Sequence, residues 1–226
     1  MYNDNIVIKF FNKATDLMVL NLLFLLCSLP VVTIGASLSA MYAVNLRSVR
    51  YGDGYVAKVF FKSFKESFFQ ATVAWILFCL CAVILFFDYH FWLQAGSSGM
   101  AKYMQISSLV LAIIFGVIFL WLFPVIAKMK DSFPRQVKNA AAMAFGHFLP
   151  HTAICLVLAV GSAYAVYRSF AAMLVFVLVG FAVITYAQSF FFYQVFAKYI
   201  TEAPASEEDP LYSGKNAEKI ERTKKE

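Results

Sequence analysis

Five stretches of this chain contain no Asp, Glu, Lys or Arg: 17–46, 67–87, 103–127, 139–167 and 169–197. An α-helix rises about 1.5 Å per residue and the hydrocarbon layer of a bilayer is about 30 Å thick, so about 20 mostly apolar residues make one crossing. Every stretch is long enough. A soluble domain spreads charges over its surface at roughly 25% of its residues. Here charged residues are 14% of the chain against 62% hydrophobic ones, and they are confined between the neutral runs. That excludes a water-soluble globule. The period-two alternation of a barrel strand is absent, which leaves helices as the spanning element. The expected fold is an all-α integral membrane protein, a bundle of five transmembrane helices with basic amphipathic cytoplasmic loop helices. The spans are expected at about 17–40, 70–87, 106–127, 152–167 and 170–193 within a membrane domain over 1–200, and 201–226 form a flexible cytoplasmic tail.

Orientation follows from the 19 basic residues, because loops kept in the cytoplasm retain Lys and Arg. Two precede the first span, and five follow it: Arg47, Arg50, Lys58, Lys62 and Lys65. Lys102 stands alone, four (Lys128, Lys130, Arg135, Lys138) precede the fourth span, Arg168 lies in the last hairpin, and six are in the tail. With five crossings, alternate segments carry 15 and 4. The N-terminus is therefore expected outside and the C-terminus in the cytoplasm of a cell membrane crossed several times. A net charge of +6 raises nucleic acid as a partner, but the cations are divided among membrane-flanking loops and no groove-reading motif joins them. The lipid bilayer with its anionic headgroups is the expected counter-charge, and nucleic acid is not. The first apolar run resembles a signal-peptide core, yet Asp4 and Asp16 sit in its leader and the apolar character continues to Leu46, so cleavage is not expected.

The basic loops have their own pattern. Val56, Phe60, Phe64 and Phe68 recur every four residues, with Lys58, Lys62 and Lys65 on the other side, which predicts a helix over 55–70 lying in the membrane plane after a turn at Gly52-Asp53-Gly54. In 128–148, Pro134 suits a first turn and Val137, Ala141, Ala144 and Phe148 form an apolar seam, with Arg135 and Lys138 set toward the lipid interface. Pro30-Val31-Val32 and Pro124-Val125-Ile126 each precede such a segment, and either chance or a parallel internal repeat explains the pair.

Candidate chemistry is sparse. His147 and His151 have two-histidine metal spacing, but Pro150 interrupts the turn and no carboxylate is near, so no metal is expected. His90 lies among aromatics as an interfacial anchor. Cys27, Cys79, Cys81 and Cys155 all fall inside spans, without disulfide or zinc spacing. No ionisable residue sits at membrane depth to carry a proton, and no nucleophile stands beside a base, so neither a catalytic residue nor a cofactor is expected and the chain reads as no enzyme. The most informative polar stretch is Asn21, Ser28, Pro30, Thr33, Gly35 and Ser37. Proline frees a carbonyl one turn back and Gly35 admits close approach, so this bend marks either a ligand pocket or a helix-packing face. Gln188 and Gln194 are expected to bond across helices.

The stretch Leu20-Asn21-Leu22 through Cys27-Ser28-Leu29-Pro30-Val31-Val32-Thr33-Ile34-Gly35-Ala36, followed by Phe60-Phe61-Lys62-Ser63-Phe64-Lys65-Glu66, resembles the YesL family of bacterial membrane proteins. The likeness extends over the later spans in hydropathy and length. It implies a Gram-positive plasma-membrane protein of the kind often encoded beside polysaccharide-degrading enzymes and sugar ABC transporters, and it supplies no catalytic residue. The expected function is an accessory or partner in carbohydrate uptake, contacting a sugar ABC permease or associating with itself. The alternatives are a small transporter or channel past the Pro30 bend, and a membrane enzyme acting on lipid or glycan.

Overall fold

The computed structural model describes residues 6–51, 55–96, 99–146 and 152–199, and every described element is helical. In chain order they are α1 (Ile6–Cys27), a 3-10 turn (Val31–Thr33), α2 (Ile34–Tyr51), α3 (Val56–Gln94), α4 (Gly99–Lys128), α5 (Phe133–Gly146), α6 (Ala153–Arg168), α7 (Phe170–Val175), a π turn (Phe176–Gly180) and α8 (Phe181–Tyr199). Within them, Phe10–Cys27, α3, α4 and Met173–Lys198 are long and apolar enough to cross a membrane, and α6 is a shorter apolar helix. Residues to Tyr193 form one compact unit; Gln194 begins a second, of which the end of α8 is described. The expected tail lies outside the described residues.

The first expected crossing, 17–40, is two helices and a reversal. Pro30 has no N–H to donate, and the residue before a proline is pushed out of the helical region, so α1 stops at Cys27 and Pro30 is extended (φ −74°, ψ 115°). Thr33 secures the turn: its Oγ1 donates to the carbonyls of Cys27 (2.6 Å) and Pro30 (2.7 Å). The Ser28 N–H still reaches the carbonyl of Phe24 (2.9 Å). Beyond the turn α2 runs back along α1. Lys13 Nζ donates to Ser48 Oγ, and Lys13 stands as many residues before Cys27 as Ser48 stands after Ile34. Leu20 and Phe24 of α1 share a core with Ala40, Met41 and Val44 of α2. The expected crossing 17–40 thus covers the second half of α1, the turn and the start of α2, while four to five helices of the chain remain long and apolar enough to span.

Hydropathy misses α2 because α2 needs none. No residue from Gly35 to Arg50 is exposed, although the helix carries Ser37, Ser39, Asn45 and Ser48, all buried. Protein surrounds it, so its polar groups are kept from lipid, and Asn45 and Ser48 find hydrogen-bond partners there. Its closest neighbour is α3: a Cβ on Gly35 would collide with the carbonyl oxygen of Ala71 and lie 2.7 Å from Cβ of Trp75.

α3 also departs from expectation. The helix over 55–70 does not end before the second span; both belong to one 39-residue helix, about 58 Å long at 1.5 Å per residue. Neither Gly nor Pro occurs between Val56 and Gln94, so nothing stops it. Val56 and Phe60 are buried, Phe68 is exposed, and Ser67, Ala71 and Ala74 continue the buried seam. Lys58, Lys62 and Lys65 face outward as expected. The Gly52-Asp53-Gly54 turn lies outside the described residues, while Tyr55 just after it takes a left-handed φ of 36°. α3 and α4 form an antiparallel hairpin in which Gln105 Nε2 donates to the Trp92 carbonyl (2.9 Å), Ser108 bonds Asp88, and Phe78 stacks on Phe119 at 3.5 Å.

Pro124 lies inside α4, whereas Pro30 ends a helix, so the internal repeat has no structural counterpart. Pro124 is buried between Phe123 and Val125, whose packing holds the helix through the missing bond. α5 starts with Pro134 in its first turn and exposes Arg135 and Lys138. Its buried seam is Gln136, Ala140, Met143 and Ala144, so Val137 and Ala141 are only half-buried. Phe148 lies outside the described residues.

Substituting Gly35 by Ala is expected to destabilise the detergent-solubilised protein by about 1–3 kcal/mol, because backbone of α3 occupies the space of the new methyl group. Gly116→Ala meets nothing within 4 Å and serves as the control. Equal melting temperatures for the two variants would rule out the tight α2–α3 approach.

Candidate functional site

Polar side chains buried within unit one form a seam that ties the α1–α2 hairpin to the broken helix α7–α8. The break has a local cause. Within the π turn the Phe176 ring folds over Gly180, where a Cβ would sit 2.6 Å from its Cγ, so only glycine fits. A π turn withdraws carbonyls from the regular ladder. Asn21 meets the backbone there: its Nδ2 donates to the carbonyls of Val177 (2.7 Å) and Phe176 (3.3 Å), and its Oδ1 accepts the Ala182 N–H (3.1 Å). Phe24, one turn further on α1, packs its ring on Phe181 at 5.3 Å.

Two more bonds continue the seam from α2. Asn45 Nδ2 donates to Thr185 Oγ1 (2.8 Å), and Tyr42 OH donates to Gln188 Oε1 (2.6 Å). Gln188 Nε2 then donates to the Cys155 carbonyl of α6 (3.1 Å). Trp121 of α4, fully buried, donates through Nε1 to Thr152 Oγ1 (2.9 Å). Helices α1, α2, α4, α6 and α8 are thus joined by hydrogen bonds between uncharged groups. A cavity of about 550 Å³ lies beside this seam, walled mostly by apolar and small side chains including Leu38, Ala159 and Ala163, with Tyr42, Thr185 and Gln188 at its polar edge.

The expected bend residues separate into four groups. Asn21 is in the seam. Pro30 and Thr33 make the reversal, and Gly35 makes the α2–α3 approach. Ser28 and Ser37 bury their hydroxyl oxygens without a hydrogen-bond partner among the described residues, as does Ser39. The bend does not gather these six into one pocket, because the chain reverses there and sends them to different neighbours. Tyr42, Asn45, Thr185 and the π turn were missed by sequence reasoning; the hydroxyls and amides were legible as residue types, but the π turn has no signal beyond Gly180.

A second polar cluster joins α3, α4 and α5. Gln136 Nε2 donates to Gln70 Oε1 (3.1 Å) and to the Met129 carbonyl (2.9 Å), while Gln70 Nε2 donates to the Asp131 carbonyl (3.1 Å). Lys130 and Glu66 pair at 3.1 Å on its rim. A cleft of about 480 Å³ opens there. Exposed as both partners are, the pair contributes little to stability. His147 and His151 lie outside the described residues. Among the described residues no three His, Cys, Asp or Glu side chains gather as a metal-holding group. His90 packs on Phe86, ring centroids 4.9 Å apart.

These features define a multi-pass helical membrane protein whose intramembrane polar groups bond chiefly to one another. A family model described as "Protein of unknown function, DUF624" matches residues 17–89, from α1 to late in α3, and that family consists of uncharacterised, typically bacterial membrane proteins. No curated protein and no solved structure matches the chain.

Replacing Asn21 by Leu removes three bonds to α7–α8 at once. At about 0.6 kcal/mol for an interhelical bond in a membrane protein, the expected loss is about 2 kcal/mol, against about 0.6 kcal/mol for Asn45→Ala. Unfolding in mixed detergent micelles measures both. Equal losses would mean that Asn21 does not hold the helix break.

Proposed function

We propose that this chain is a bacterial plasma-membrane protein of the YesL kind, acting as an accessory component of carbohydrate uptake. The family assignment draws on the first-span pattern and on the family match over the same residues. The carbohydrate context comes from the resemblance. What favours an accessory over an autonomous transporter is the state of the polar seam: Asn21, Asn45, Tyr42, Thr185 and Gln188 are engaged with one another or with backbone. A permeating sugar needs several hydrogen-bonding groups free to exchange with it. The partner in this reading is a sugar ABC permease or a second copy of the chain, reached through lipid-facing apolar helices such as the outer halves of α3 and α4. Lys58, Lys62, Lys65, Arg135 and Lys138 rest against anionic headgroups of the inner leaflet. No catalytic role and no cofactor is assigned.

The 550 Å³ cavity supports a second reading, a small transporter whose pathway runs past Tyr42 and Gln188. Proteoliposomes holding this chain alone separate the two. The accessory reading expects no accumulation of labelled oligosaccharide by these liposomes, retention of permease subunits when the chain is purified from native membranes, and a several-fold drop in cellular uptake when the chain is deleted. Accumulation by the chain alone, abolished by Tyr42→Phe, would establish the transporter instead.

A further inference from the structure

We infer that the N-terminal helix enters the membrane from the cytoplasmic side, so that the N-terminal segment and the first basic loop form one cationic face toward the inner leaflet. The inference is independent of the carbohydrate reading. It rests on the reversal at Ser28–Thr33 and on what that reversal brings together. Lys13 Nζ donates to Ser48 Oγ and lies 4.6 Å over the ring of Tyr186. Arg47 precedes Ser48, and Arg50, two residues after it, lies 4.8 Å from the ring of Tyr51. The open end of the hairpin therefore carries Lys13, Arg47 and Arg50, while its closed end carries Leu29, Val31 and Val32, all exposed and apolar.

A hairpin with one charged and one apolar end has one stable placement: the charges stay in the headgroup layer and the apolar tip enters lipid. This holds whether the tip reaches the far leaflet or stops within the hydrocarbon, since both arms start from the same side. The side is set by the loop that follows. Arg47, Arg50, Lys58, Lys62 and Lys65 lie within a short stretch, the pattern of a segment retained in the cytoplasm. Lys9 and Lys13 go with them. Keeping the other segments as the charge alternation places them leaves Lys102 and Arg168 as the two of 19 basic residues on the outer side, in place of four. The structural reversal thus sharpens the charge asymmetry that it was not chosen to satisfy.

Cysteine labelling in intact cells tests this. In a background with Cys27, Cys79, Cys81 and Cys155 changed to Ala, the exposed Asn12 is replaced by Cys in one variant and the exposed Gln94, in the α3–α4 hairpin, in another. A membrane-impermeant maleimide is expected to label Gln94→Cys in intact cells, and Asn12→Cys only after the membrane is opened. Labelling of Asn12→Cys from outside at the rate of Gln94→Cys overturns the inference. A second measurement avoids the cysteine background. Green fluorescent protein fused to the N-terminus of the unmodified sequence is expected to fluoresce, and alkaline phosphatase in the same place to be inactive. The opposite pair of results overturns it equally.

Discussion

Lipid supplies no hydrogen bonds, so every polar group carried into it must find its partner in the protein. In this molecule that requirement centres on Asn21. At the π turn in the last apolar helix, a single carboxamide with donors and an acceptor binds two backbone carbonyls and one N–H at once. The position of α1 follows from that match, and α2 follows from α1 through the Thr33-secured reversal. An amide is suited to the task because it offers both polarities without charge. A carboxylate in its place would repel the carbonyls, and a leucine would leave them bare.

The same requirement explains why a helix as polar as α2 is central. With Ser37, Ser39, Asn45 and Ser48 along its length, α2 would lose free energy on any lipid-facing surface, so it is enclosed by the longer apolar helices, and its small residues make that enclosure tight. Gly35 against Ala71 is the closest point. Outside this centre the exposed large side chains of α3 and α4, such as Ile84, Phe87, Ile106 and Ile113, are what a lipid boundary demands. A soluble protein would bury them. The apolar exterior and the polar groups held inside an otherwise apolar core are thus one arrangement.

How much of this is legible in the sequence depends on the range of the interaction. The all-helical membrane class, the apolar character of α3, α4, α6 and α8 and the outward cations at Lys58, Lys62 and Lys65 follow from local composition and spacing. Pro30 was readable as a bend, but bend and reversal have the same local signature; the difference lies in Thr33 reaching Cys27 and in α2 packing against α1. The continuity of α3 was legible in the absence of Gly and Pro over 56–94, and a four-residue repeat of Phe, equally true of a helix that continues, obscured it. The seam was not legible. Asn21 and Ala182 are 161 residues apart in the chain, and nothing in either neighbourhood names the other.

That separation bears on what the matched stretch 17–89 can be by itself. It contains α2, the turn, the second half of α1 and most of α3, including the Gly35 approach. Its core and its polar side chains both reach beyond it, the core to Ala182 and to Phe119 of α4. The partners of Asn21, Tyr42 and Asn45 all come from residues 176–188, beyond the stretch. Cut away from α7 and α8, the hairpin would present two carboxamides and a phenol to lipid. The stretch therefore works as half of a joint whose other half is the helix break at Phe176–Gly180. A substitution on either side acts on the same joint, so losses at Asn21 and at the π turn are coupled and do not add.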